Sequence, residues 1–270
     1  MKELKKLVEH LERRFEKNGK NFLSEIYETC KIVKKVKNEI SCAVSNFLKC
    51  DTEADLIFSI SPFRDDDDLI SLASITARSR SNLTPENFEY AEPYYCICVN
   101  PLALTTYAEE AFPIPKEKCI KAVLAEEFAH IGIEKKYKME KLKLEIFVNK
   151  RFKGKKVPLW YVIDYLYILG GKEEACAMYV ANQIVGFKFY TPDNILENIS
   201  QIEIREEDYF KIGGKLTTCF EKAFAAYLLR RIKNQKDFEN FLLGIDNVTK
   251  EEIKLLEKSL LLADYFRLKE

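Results

Sequence analysis

One short segment carries residue types at a spacing that could grip a metal ion. In PIPKEKCIKAVLAEEFAHIG, Pro113 to Gly132, Glu126 and His130 stand four positions apart with Glu127 between them. On a helix of about 100° per residue, they lie about 40° apart around the axis and about 6 Å apart along it, on one flank. Two side chains so placed can hold one divalent ion while Glu127 stands beside them. This is the geometry of HExxH, in which two histidines hold zinc and the glutamate handles protons. Here the first histidine position is Glu126, and the pentapeptide reads EEFAH. Glu127 falls about 20° from Ile120 in helical projection, inside an apolar stripe of Ile120, Leu124, Phe128 and Ile131. A carboxylate in such a stripe must be paired, protonated or bound, because an unpaired buried charge is costly. Taken alone, EEFAH also fits a pair of glutamates on a helix surface beside a packed His130.

A third ligand should come from a following helix. After Gly170 and Gly171 the chain reads KEEACAMYVANQIVG, and Ala175 to Ala181 are apolar without interruption, the mark of a helix buried nearly all round. Glu174 shares a stripe with Ala177, Met178, Ala181 and Val185. Glu173 could substitute from a face about 100° away. Two buried helices, each directing an acid inwards and one adding a histidine, make a metal pocket.

The order strand, Asn-Pro, EExxH helix, acid-bearing helix resembles the ImmA/IrrE-like metallopeptidases, zincins of the gluzincin type. The matching segments are CVNP (Cys98 to Pro101), AEEFAHIG (Ala125 to Gly132) and EACAMYVANQIV (Glu174 to Val185), within about residues 95 to 190. The resemblance implies a divalent metal, zinc in that family, held by Glu126, His130 and Glu174, with Glu127 as the general base acting on metal-bound water. It also implies a peptide or protein as substrate or partner. The departure is the ligand set. One histidine and two carboxylates neutralise a divalent ion, so its bound water is less acidified. Their oxygen ligands tilt selectivity toward manganese or iron.

Three readings follow: a metal-dependent peptidase with an altered ligand set; a zincin-fold binding or regulatory protein without metal or catalysis; and a carboxylate-rich iron oxidase. The third uses Glu127 and His130 as an ExxH pair. A di-iron bundle needs a second such pair, and the only other histidine, His10, has its glutamate adjacent at Glu9. His10 reads as a surface or packing residue.

The elements that must position these groups are legible from pattern. Residues 1 to about 50 read as helix, with one run from about Phe22 to Leu48. ADLIFSIS, LISLASIT and YYCICVN, between residues 51 and 112, read as three short strands. From Pro113 onward the pattern is helical. Pro115 suits a first turn and Gly132 a cap after the last one. The fold class is thus α+β, mainly α: a zincin-like core of a small sheet packed on the site helix, with additional N- and C-terminal helices. Its sections are 1–50, 51–190 and 191–270. Trp160, Tyr161, Tyr165 and Tyr167 read as core ahead of the Glu174 helix, or as a source of one hydroxyl for the site. Phe220, Phe224, Leu228 and Leu229 form an amphipathic stripe, as do Ile253, Leu256, Leu260 and Leu261.

Composition excludes several classes. At 270 residues, 47% hydrophobic and 32% charged, the chain can bury a large core and is not disordered. Lys+Arg and Asp+Glu both number 43, so no net charge directs it to nucleic acid or an anionic membrane. The most apolar stretch, Val157 to Leu169, is too short to span a bilayer and contains Asp164. The opening residues lack the apolar core of a signal peptide. With no CxxC among the eight cysteines, the expectation is reduced thiols in a cytoplasmic protein. The acidic run Asp65 to Asp68 and the basic cluster Lys150 to Lys156 read as solvated loops.

Overall fold

The computed structural model describes residues 9–59 (apart from 10, 11, 14 and 18), 73–79, 93–147 (apart from 112), 159–200 and 215–256. His10, the acidic run Asp65 to Asp68 and the basic cluster Lys150 to Lys156 fall outside these residues, as do Leu260 and Leu261 and the side chains of Trp160, Tyr161 and Phe220.

Helix α1, Phe22–Leu48, coincides with the amphipathic run read from the sequence. Asn21 starts it by accepting a hydrogen bond from the Ser24 amide at 3.0 Å. Its buried positions, among them Val33, Val36, Ile40 and Val44, recur at three- and four-residue spacing. Among the described residues three strands follow, β1 (Asp55–Phe58), β2 (Ala73–Ser79) and β3 (Pro93–Val99), in the order β1-β3-β2. β3 is central. It runs parallel to β1, with Leu56 opposite Ile97, and antiparallel to β2, with Ile75 opposite Ile97. Tyr95, Cys96, Ile97, Cys98 and Val99 are all buried, as a strand covered on both faces requires.

The Asn-Pro pair ends β3 and starts the next helix. Asn100 Oδ1 accepts from the Ala103 amide at 3.1 Å, and Pro101, with no amide to leave unpaired, takes the first turn of α2 (Pro101–Glu110). Then come α3 (Lys116–Tyr137), α4 (Met139–Phe147), α5 (Leu159–Val185), α6 (Pro192–Ser200), α7 (Lys215–Leu229) and α8 (Gln235–Leu243), with residues 250–256 forming one more helical stretch. The chain is therefore α+β and mainly α. α3 packs against α1, α5 and β2, and α5 against α7. One buried apolar cluster runs from Val33 to Leu256, through all three sections of the chain. No helix among the described residues is long and apolar enough to cross a membrane.

Two helix boundaries differ from the sequence reading, and close packing is the reason for both. Gly132 does not end α3, which continues to Tyr137 and closes at Lys138 in the left-handed conformation, φ 52°. Gly132 sits instead where α1 crosses: a Cβ there would lie 2.6 Å from Leu48 Cδ1 and 3.0 Å from Thr52 Cγ2. Gly170 and Gly171 likewise do not precede a helix but lie within α5, so the apolar segment before them and the acid-bearing segment after them form one continuous helix. α7 presses on that point. A Cβ on Gly170 would lie 2.7 Å from Glu221 Cδ, and one on Gly171 would lie 2.5 Å from Phe224 Cδ1. The α7 stripe is buried as its spacing predicts, at Phe224, Leu228 and Leu229.

Lys172, the next residue of α5, is only 2% exposed. Its ammonium lies 2.8 Å from Glu252 Oε1, donates to the Gly244 carbonyl at 3.3 Å and to the Asn247 carbonyl, and sits 5.7 Å from the Phe241 ring centroid. This cluster ties the helix that carries Glu173 and Glu174 to the α8 end of the chain. Removing one partner of a buried ion pair costs about 3–5 kcal/mol because the other charge is stranded. Glu252→Ala should lose that much in urea unfolding, whereas Lys172→Met combined with Glu252→Met should lose less than the single change.

Candidate metal centre

The site forms where α3 crosses α5. Between Cys119 and Ile133 of α3, only Lys121, Glu126, Glu127 and His130 are polar. Ile120, Leu124, Phe128 and Ile131 are fully buried around them. α5 supplies Glu173 and Glu174, followed by the buried run from Ala175 to Ala181. Both helices are therefore committed to the interior, and their few charged groups must find each other.

They do so around one imidazole. Glu126, His130 and Glu174 each offer a ligand atom, and these atoms all lie within 4.8 Å of one another. These are the same three residues that the sequence reading brings together. Glu173 and Glu174 are about 100° apart on their helix, and the imidazole lies between them. His130 Nδ1 lies 3.1 Å from Glu173 Oε1, and Nε2 lies 3.8 Å from Glu174 Oε1. Glu173 thus does not substitute for Glu174. It pairs with Nδ1 and leaves Nε2 facing Glu174, the arrangement in which a carboxylate orients a metal-binding histidine once Nε2 has lost its proton. The other Glu173 oxygen, Oε2, accepts from Lys143 Nζ of α4 at 2.9 Å.

Four further residues at the site, Lys143 among them, were not singled out from the sequence. Tyr190, in the turn after α5, donates its hydroxyl hydrogen to Glu126 Oε2. The charges of Glu221 and Lys222, from α7, bear on the carboxylates of α3 and α5. Tyr190 and Lys143 carry no spacing signal relative to EEFAH. Glu221 was detectable only as an acid interrupting the apolar stripe of α7.

Electrostatics of the site are those of partly buried acids crowded together against an apolar core. Burial, then the charge of Glu174, raises the Glu126 carboxyl above its ordinary range. Burial raises Glu127 from 4.5 to about 8, helped by Glu126 and Glu174 and opposed by His130. Glu221 rises to about 7, through burial and then Glu174. Burial works to raise Glu173 too, but Lys143 and the hydrogen bond from His130 outweigh it and lower the group to about 2. Burial disfavours the charged imidazole of His130, but Glu173 and Glu174 outweigh it, and its pKa rises from 6.5 to about 10. Without a cation, these shifts favour a charged imidazole at His130 and a neutral acid at Glu127 near neutral pH.

Comparison with known proteins returns nothing: no protein-family profile, curated protein or solved structure matches this chain.

The protonation pattern fixes how the metal-free protein responds to pH. The stabilisation from His130 is fully present below 6.5 and is lost as pH rises through about 10. For Glu127, raised from 4.5 to about 8, burial of the neutral acid costs nothing below 4.5 and destabilises progressively up to about 8. Both effects have the same sign. In the presence of a chelator the unfolding midpoint should be higher near pH 6 than near pH 9, and Glu127→Gln should reduce the difference. A midpoint that rises over this range would contradict the assignment.

Proposed function

We propose that the chain is a metal-dependent hydrolase acting on peptide bonds, built on a zincin-like core. The observation that carries this reading is the convergence of Glu126, His130 and Glu174 within 4.8 Å, with Glu127 beside them on the same helix. The resemblance of CVNP, AEEFAHIG and EACAMYVANQIV to the ImmA/IrrE-like metallopeptidases supports it, as does the small sheet lying against α3.

The donor chemistry fits a divalent cation. Two carboxylates and one imidazole with its Nδ1 fixed by Glu173 form a compact set whose charge balances the ion. Zinc follows from the resemblance, and the oxygen-rich ligands suit manganese or iron. A bound cation supplies Lewis acidity to a peptide carbonyl. The protein's own part is proton handling. The Glu127 carboxylate removes a proton from the attacking water and returns it to the leaving amine. Glu173, held by Lys143, keeps the His130 ring in one orientation.

A second reading, a non-catalytic binding or regulatory protein of the same fold, is favoured by one observation. Tyr190 already satisfies Glu126, and Glu173 already satisfies His130.

Tag-free protein dialysed against zinc, manganese or iron(II) separates the two readings. The hydrolase reading expects about one equivalent of metal per chain, lost in His130→Ala. It expects Glu127→Gln to retain metal and to lose peptide hydrolysis by about 100-fold or more. Hydrolysis that survives Glu127→Gln would remove that residue as the base. Absence of stoichiometric metal would favour the second reading. Because the cation replaces protons on His130 and the carboxylates, its apparent affinity should rise as pH is raised through neutrality.

A further inference from the structure

We propose that Tyr190 is a positioning residue that holds Glu126 by one carboxylate oxygen, so that Glu126 meets a metal ion through the other. This rests on the metal-centre reading above.

The tyrosine is itself firmly placed. α5 ends at Val185, and Gly186 turns the chain with φ 72°, a conformation that favours glycine. Four residues later the backbone of Tyr190 is gripped at two points by Asn182 of α5. The Tyr190 amide donates to Asn182 Oδ1 at 2.8 Å, and Asn182 Nδ2 donates to the Tyr190 carbonyl at 2.8 Å. The ring packs edge-on against Phe189, centroids 4.9 Å apart. Asn182 lies on the same helix as Glu174. One rigid helix therefore presents a carboxylate ligand and, through Asn182 and Tyr190, orients a second ligand carried on α3.

The need for such a group follows from the unusual ligand. An imidazole offers a metal one lone pair in a fixed direction, whereas a carboxylate can bind through one oxygen or two. Where Glu126 stands in the place of a histidine, a hydrogen bond to Oε2 removes that ambiguity. Outer hydrogen bonds of this kind are typically worth about 10- to 100-fold in metal affinity.

Cobalt(II), whose visible absorption reports coordination number, tests the proposal. Wild type, Tyr190→Phe and Asn182→Ala are titrated with cobalt(II), with circular dichroism as the control for folding. Tyr190→Phe keeps the ring and loses only the hydroxyl. It should bind cobalt about tenfold more weakly, with a weaker, shifted visible band as Glu126 becomes free to use both oxygens. Asn182→Ala should move affinity and band in the same direction. Wild-type affinity and an unchanged band in folded Tyr190→Phe would overturn the role of Tyr190 while leaving the metal centre standing. Failure of wild type itself to bind cobalt would overturn the metal-centre reading and this inference with it.

Discussion

The arrangement of this site depends on one partly buried imidazole held between two consecutive glutamates of a neighbouring helix. A charged or hydrogen-bonding group taken out of water must be compensated where it stands. His130 is compensated on both ring nitrogens, by Glu173 at Nδ1 and by Glu174 near Nε2. Compensation then extends outward, from Glu173 to Lys143 on one side and from Glu126 to Tyr190 on the other. α3, α4, α5 and the turn after α5 each contribute a group, so the relative positions of these elements are fixed by the same polar chain that defines the chemistry.

Such a chain requires helices that cannot drift. Gly132 lets α1 settle onto α3, and Gly170 and Gly171 let α7 settle onto α5 just ahead of the acids. The buried Lys172, one residue before Glu173, anchors the same stretch of α5 to Glu252 and to the carbonyls after α8. The C-terminal section thus braces the helix that supplies Glu173 and Glu174, and Glu221 brings one more acid toward them from α7.

Much of this was legible in the sequence because periodicity reports burial. The run from Phe22 to Leu48 and the apolar stripe around Glu127 follow from spacing, and the three strand segments from residue type and turn signals; helical geometry pairs Glu126 with His130 and offers Glu174 or Glu173 from a second buried helix, the family resemblance implying Glu174. What was not legible depends on the rotation of one helix against another. Spacing places Glu173 and Glu174 on different faces, but only the packing of α5 on α3 shows that a single imidazole can use both. Glycine misled at Gly132 and Gly170 for a related reason. In isolation it reads as a helix terminator, and here it is a point of close approach inside a helix. Tyr190 left no trace because its position comes from a turn and from the Asn182 side chain, neither of which has a period.

In the proposed hydrolase, Glu126, His130 Nε2 and Glu174 would hold one divalent ion. An anomalous difference map from crystals grown with zinc or manganese and measured at the metal's absorption edge tests it most directly. A single strong peak is expected within bonding distance of His130 Nε2 and of one oxygen from each of Glu126 and Glu174, with Nδ1 still on Glu173. A peak elsewhere, one bonded through Nδ1 with Glu173 displaced, or none between α3 and α5 would contradict it.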